Sequence, residues 1–547
     1  MSTTSIMISD LICQNESTIQ FDKEFVSGDF TIADIDFQNC NFGIMNLKIK
    51  KTEPILRKIH IVFSVDCSGS MSDTCEDGKI KMDHIIHTLI NMIVYFAEHP
   101  ELNISISVFA FDGSIYNIIV NEEVKEENLE KLIQSVKKIR PKGVTSIELA
   151  LVNSSEYIET YLTNNSETYV SHILMTDGDA TQGKKLSSEL IELASPLISN
   201  IFIGFGIDHN AYLLKDLSSH GENKYYFVDA LEKAGFVYGE ILHSIIYRVL
   251  ENTTISVING LIYDWKTNTW VDKIEVGDLL SENKKIFQVL SNKPNEFSCL
   301  VQTRHCASKE AFEFSIQNNE LNEFVDLIEY KYRQRTQQLL YEVNTHNFNI
   351  YKSYDYNCQE KYKNLQQTSN FLKEKMKDLL NEMKNIEEEQ NSTFSKCEKS
   401  GVLKLLCDDI YICLRTFETK HSAIYSCARQ ISQGAQRSYS ATYTPKLYNN
   451  NDFGNPILTR SYAANFDYLD ENINNNNNDL FPELPDFGIN SVNSLYLKKP
   501  QSASNNNLTD IDDYEVSDQT DNPYSTLSVL SLMRSCSANI DDNKLFK

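Results

Sequence analysis

The chain's pattern predicts an α/β protein built on a doubly wound, mostly parallel sheet of Rossmann-like type. Four short apolar runs, Ile59 to Val65, Ile104 to Phe111, Val170 to Met175 and Ile201 to Phe205, have the length of buried strands. Between them lie Met82 to Glu98, Glu127 to Lys138, Ser146 to Leu162 and Ser187 to Ile198. Each carries apolar residues at i, i+3 and i+4, the period of a helix laid on a sheet. The alternation of the two patterns over residues 57–250 is that of parallel strands joined by crossover helices.

The flanks read differently. Within residues 1–56, Thr18 to Phe21, Phe30 to Ile32 and Met45 to Ile49 are β-prone stretches between Ser-Gly and Asn-rich breaks. Residues 251–318 return to strands at Thr254 to Ile258, Lys285 to Leu290, Phe297 to Gln302 and Phe312 to Ile316. We expect the two sets to form one accessory, β-sandwich-like region into which the α/β unit is inserted. Residues 319–442 are helical, with Leu365, Leu372, Met376, Leu379, Met383 and Ile386 on a heptad-like seam. An antiparallel helical hairpin inside the monomer is the expectation, and self-association through a coiled coil the alternative. Residues 443–547 turn to Asn, Asp, Ser and Pro, with Asn474 to Asn478 and Asn505 to Asn507 as runs. Such a composition buries too little apolar surface to offset ordering, so a largely disordered tail is expected, with Leu527 to Leu532 as a short binding helix.

Composition removes several function classes. At 547 residues the chain has room for three or four units of roughly 150 residues each. Its 76 acidic and 51 basic residues give a net charge of −25, which a phosphate backbone or anionic membrane would repel, so no nucleic-acid partner is expected. No apolar run approaches the roughly 18–20 residues of a membrane span, and the first ten residues lack the basic start and apolar stretch of a secretory signal. A cytoplasmic, reducing location follows as the expectation. Most of the twelve cysteines are therefore read as buried thiols, and no CxxC or His-x-His spacing offers a zinc site. No Gly-x4-Gly-Lys-Ser/Thr phosphate loop occurs.

The chemistry gathers at strand ends. The first strand runs into Asp66, Ser68 and Ser70, with Gly69 easing the turn, at the edge where open α/β sheets bind ligands. Thr145 sits in a loop that opens a helix, and Asp177 ends the strand from Val170. Two carboxylates and three hydroxyls make an all-oxygen donor set, suited to Mg²⁺ or Mn²⁺ rather than Zn²⁺ or Cu²⁺. Asp112 and Asp179 also lie near strand ends and are read as solvated turn residues. His84 and His87 have helical i, i+3 spacing among Ile85, Ile86, Leu89 and Ile90, the pattern of ordinary helix packing.

Asp66-x-Ser68-x-Ser70, Gly143-x-Thr145-Ser and Thr176-Asp177-Gly together resemble the complete metal-ion-dependent adhesion site of the von Willebrand factor type A family. Val65 to Met71, Ile203 to His209 and Tyr225 to Asp229 extend the resemblance over about residues 57–250, closer to intracellular and bacterial-type members than to integrin inserts. The resemblance implies Ser68, Ser70 and Thr145 as direct ligands, with Asp66 and Asp177 acting directly or through water. It implies one divalent cation, Mg²⁺ or else Mn²⁺ or Ca²⁺, left electrophilic by neutral ligands and completed by an Asp or Glu of a protein partner. In some members the last helix, here around Leu231 to Val249, moves as the site opens and closes.

The expected function is accordingly a non-enzymatic, metal-dependent protein-interaction module. The alternative from another class is a scaffold acting through its C-terminal helices, with a structural metal. Metal-dependent hydrolysis is a remote alternative, since the sequence offers no positioned general base and no basic cluster for phosphate. Ile274 to Leu279 faintly resembles a self-processing Hint-type segment, but no convincing Cys or Ser nucleophile stands before Ile258.

Overall fold

The computed structural model describes residues 25–54, 57–75, 78–206, 209–229, 234–318, 327–352, 359–393, 401–419, 421–439 and 522–537. An antiparallel pair comes first, β1 (Val26–Phe37) with β2 (Cys40–Ile49). The predicted stretch Thr18 to Phe21 lies outside the described residues. The α/β unit follows as β3 (Ile59–Asp66), α1 (Lys81–Glu98), β4 (Ile104–Phe111), β5 (Ile115–Glu123), α2 (Leu129–Val136) and α3 (Ile147–Asn164). It continues through β6 (Tyr169–Thr176), α4 (Ser187–Ile191), β7 (Ser199–Phe205), α5 (Ala211–Ser218), β8 (Lys224–Val228) and α6 (Ala234–Ile246).

The sheet has the order β5-β4-β3-β6-β7-β8, parallel except for β5, which turns back on β4. Because strand side chains alternate, it presents two apolar faces. Ile61, Phe63, Val65, Val108 and Met175 meet α1, α2 and α6 on one face. Val62, Phe109, Val170, Leu174 and Phe202 meet α3 and α5 on the other, so the fold is doubly wound as predicted. Edge strand β5 has no counterpart among the predicted runs, because it mixes Asn117, Asn121 and Glu122 with its apolar residues. The helix predicted over Ser187 to Ile198 is only five residues long, ending before Pro196, which disfavours helical backbone in the residue ahead of it.

After α6 the chain passes into β9 (Arg248–Ile258), β10 (Leu261–Asp264), β11 (Thr269–Val271), β12 (Lys273–Leu280), β13 (Lys284–Ser291), β14 (Ser298–His305) and β15 (Ala311–Asn318). With the first two strands they form one sheet, ordered β11-β10-β13-β2-β1-β15-β14-β9-β12. Strands from before and after the α/β unit thus lie side by side: β13 pairs with β2, and β15 with β1. Phe30, Met45 and Leu47 from one half share a core with Leu250, Ile255 and Val301 from the other, so the sheet folds over on itself in sandwich fashion. Ile274 to Leu279 forms most of β12, an ordinary antiparallel partner of β9. Where the chain enters and leaves the α/β unit, the Arg57 and Arg248 guanidinium groups each lie 4.3 Å from the centroid of the Tyr169 ring.

Helices α7 (Leu327–Lys352), α8 (Gln359–Thr393), α9 (Val402–Thr416) and α10 (Ser422–Ala435) complete the body. The α8 seam residues Leu372, Met376, Leu379 and Met383 are buried with Leu340 and Val343 of α7 and Leu403 and Leu406 of α9. The heptad-like seam is therefore filled within the monomer. Buried Arg333 bolts this bundle to the second sheet, donating to the Ile286 carbonyl at 2.8 Å and to the Gln433 carbonyl at 3.1 Å.

The short helix expected inside the tail is present, and it runs on beyond the predicted Leu527 to Leu532. Residues 522–537 are folded, and α11 (Leu527–Ser537) packs on α1 and α6 through Val529, Leu532, Met533 and Cys536. That i, i+3, i+4, i+7 stripe supplies the apolar surface that the Asn-rich stretches lack. Residues 440–521 and 538–547 lie outside the described ones. Among the described residues the cysteines are free thiols, and no helix is long and apolar enough to cross a membrane.

Candidate metal centre

Strand β3 delivers Asp66 to the carboxyl edge of the sheet, and a 3-10 turn, Gly69–Ser72, follows. The Ser68 N–H donates to Asp66 Oδ1 at 2.8 Å, and the Thr176 hydroxyl, at the end of β6, donates to Asp66 Oδ2 at 2.6 Å. This carboxylate thus ties two strand ends together. The loop before α3 is laced to the first one: the Lys142 N–H donates to the Cys67 carbonyl at 2.7 Å, and the Gly69 N–H to the Gly143 carbonyl at 3.1 Å. Gly143 has φ of +73°, and a Cβ there would lie 2.6 Å from Asp112 Oδ2, so the turn takes glycine. The Thr145 N–H is held by Thr181 Oγ1 at 2.9 Å.

The structure brings all five predicted residues together. Ser70 Oγ donates to Asp177 Oδ1 at 2.7 Å and lies 3.1 Å from Ser68 Oγ. Thr145 Oγ1 and Ser70 Oγ approach the same glycine, lying 3.9 and 3.8 Å from where a Cβ of Gly178 would sit. Asp66, Ser68, Thr145 and Asp177 are buried, while Ser70 is partly exposed and opens the cluster to solvent. Burial pushes the Asp66 carboxyl up to about 6, against the pull of the hydrogen bonds from Thr176 and Ser68. Such a carboxylate would be favoured by a nearby cation.

A cation supplied by the chain stands beside it. Lys81, the first residue of α1, places Nζ 2.7 Å from Asp177 Oδ2 and 3.2 Å from Asp73 Oδ2. Burial pulls this ammonium down, but the Asp177 and Asp73 carboxylates outweigh it and hold its pKa above that of an ordinary lysine. Sequence reasoning missed Lys81. The available signal was its position, because a lysine at a helix N-terminus opposes the macrodipole, and Ile80 ahead of it has no side-chain oxygen to cap the helix.

The other singled-out residues separate cleanly. Asp179 is exposed, as a turn residue should be. Asp112 is not the solvated residue expected: it is buried and accepts from the Ser114 N–H at 2.7 Å and the Tyr116 hydroxyl at 3.2 Å, bracing the loop at Gly143. His84 is buried on α1 within the apolar face. Burial pushes the Cys67 thiol up to about 12, which keeps it protonated and a poor ligand. Among the described residues no group of three or more His, Cys, Asp or Glu side chains is disposed to hold a metal. A cation here would therefore depend on hydroxyl oxygens. The donor set fits a hard divalent ion in that way, with neutral oxygens from two loops and flanking carboxylates.

Residues 60–239, from β3 into α6, match the family model described as von Willebrand factor type A domain, and the span holds all five site residues. A search of curated proteins found no match. Among solved structures, the ArnB paralog VWA2 from Sulfolobus acidocaldarius is similar at 16% identity and TM-score 0.43, over 75% of this chain and 99% of that one. A von Willebrand factor type A protein from Catenulispora acidiphila is similar at 11% identity and TM-score 0.39, over 59% and 80% of the two chains. The PilB minor pilin from Streptococcus sanguinis is similar at 18% identity and TM-score 0.26, over 38% and 74%.

Proposed function

We propose that the type A domain binds a protein partner through a divalent cation, Mg²⁺ or a relative of it, held at the carboxyl edge of its sheet. The observation that carries this reading is the convergence of Ser68, Ser70 and Thr145 hydroxyls beside the buried carboxylates of Asp66 and Asp177. Ser68, Ser70 and Thr145 would hold the ion, with Asp66 and Asp177 close behind. The ion supplies a positive point that a partner's Asp or Glu can reach on an otherwise acidic chain. Asp66 orients the first loop, because both its oxygens accept hydrogen bonds from that loop and from β6. That commitment favours binding over catalysis, since an oxygen so occupied is poorly placed to take a substrate's proton. The scaffold reading is less favoured, because the α8 seam is already buried inside the monomer.

Calorimetric titration of Mg²⁺ and Mn²⁺ into the metal-stripped full chain is the test, beside Ser68→Ala with Thr145→Ala. One saturable site, lost in the double variant while cooperative melting persists, supports the reading, as does EDTA-sensitive retention on immobilised Glu-containing peptides. A folded wild-type chain that takes up neither ion overturns it.

A further inference from the structure

The last described segment is separated in sequence from the rest of the body by residues 440–521, so its seat depends on recognition and not on continuity with a neighbouring element. That seat is specific in three ways. On α6, Gly235 and Gly239 stand one turn apart; a Cβ on the first would lie 2.7 Å from the Cys536 carbonyl oxygen, and on the second 2.4 Å from the Met533 nitrogen. The two glycines let the helices meet backbone to backbone. Both ends of α11 are also read. Buried Asn91 of α1 donates Nδ2–H to the Cys536 carbonyl at 2.6 Å, and Glu282 accepts the Ser528 N–H at 3.1 Å. These are the orphan groups that any helix presents at its C- and N-termini, and a carboxylate suits the N-terminal end. Between the ends, Val529, Leu532, Met533 and Cys536 enter the core shared by α1 and α6.

We infer that the α1–α6 groove is a receptor for a short amphipathic helix, and that its ligand is this chain's own segment Asn522–Ser537, which binds as a separable motif. The required chemistry is an apolar stripe at i, i+3, i+4 and i+7, with backbone free to approach two glycines and a helix N-terminus facing Glu282. Nothing in this depends on a metal at the sheet edge.

The test uses the full-length chain carrying Leu532→Asp and Met533→Asp, which vacates the groove. A fluorescein-labelled peptide of residues 520–540 is then titrated in by anisotropy. Saturable binding, at least tenfold tighter to this variant than to the wild-type chain, is expected, and the peptide bearing the same two substitutions should not bind. Equal affinity for both chains, or no binding to a variant that still melts cooperatively, overturns the proposal. Should the variant lose cooperative melting, amide exchange in the wild-type chain decides the matter. Amides of 529–537 that open well before those of β3 and β6 support a separable motif, whereas amides that exchange only together with the sheet overturn it.

Discussion

Strand β3 and the loop it runs into carry serine in two settings. Ser64, in the interior, is buried and shares a 2.9 Å hydrogen bond with His172 Nε2, while His172 Nδ1 lies 2.9 Å from Asn200 Oδ1. His60 on the same strand pairs with Ser105 at 2.8 Å, and its other nitrogen faces Ser107 and Tyr157. Ser68 and Ser70 lie past the strand's end, among Asp66, Asp177 and Lys81. In these two clusters the polar groups are neutral and bond to one another, because an uncompensated charge there would be costly. At the edge the charges collect, and solvent reaches Ser70. The same hydroxyl is a cross-strand clip in one place and a candidate ligand in the other, and access to solvent decides which.

Acid should have the largest effect and tests whether the interior rings are truly sealed. Burial lowers His60 and His172 each to about 4. Between pH 6.5 and 4 these two histidines therefore bind more protons in the unfolded chain than in the folded one, an effect that the raised Asp66 carboxyl offsets in part below about pH 6. Stability that is full above the unfolded value is lost as pH falls toward 4. Urea midpoints should fall clearly between pH 7 and pH 5, and equal midpoints would break the contrast with the edge. Next comes Ser64→Ala, which leaves His172 Nε2 without its partner and should cost about 1–3 kcal/mol in chemical denaturation. Mg²⁺ uptake should be untouched; a parallel loss of uptake would show that the two settings are coupled. Smallest is Lys81→Met, which removes the cation beside Asp177. Mg²⁺ should then bind about tenfold more tightly, roughly 1.4 kcal/mol by calorimetry. Weaker binding would mean that the lysine holds the site's loop in place and does not compete with the ion.

Much of this was legible in the sequence because it is written in local pattern. Ile59 to Val65 and its parallel neighbours are apolar on both faces, which only a covered sheet requires. Asp66, Ser68, Ser70, Thr145 and Asp177 each follow or flank a predicted strand or helix end, so the order of elements was enough to bring them together. Lys81 was hidden because its nearer partner comes from elsewhere: Asp177 is distant in sequence, and its pull on the ammonium exists only once β6 lies beside β3. Edge strand β5 was hidden because one of its sides is open to solvent and carries no apolar signature. The seat of α11 was the least legible. Its stripe was visible from Leu527 onward, but nothing local links Met533 to Gly239 or Cys536 to Asn91.

The clasp of Arg57 and Arg248 on Tyr169 sits where the domain joins its frame, at the pole of the sheet opposite Asp66 and Asp177. Tension applied at the site would therefore run along the strands to two tethers held side by side. The ladders of β3 with β4 and β6 would be loaded in shear, all their hydrogen bonds sharing the force, and not peeled one after another. In mechanical terms the clasp is the fitting that keeps the domain's two chain attachments from spreading.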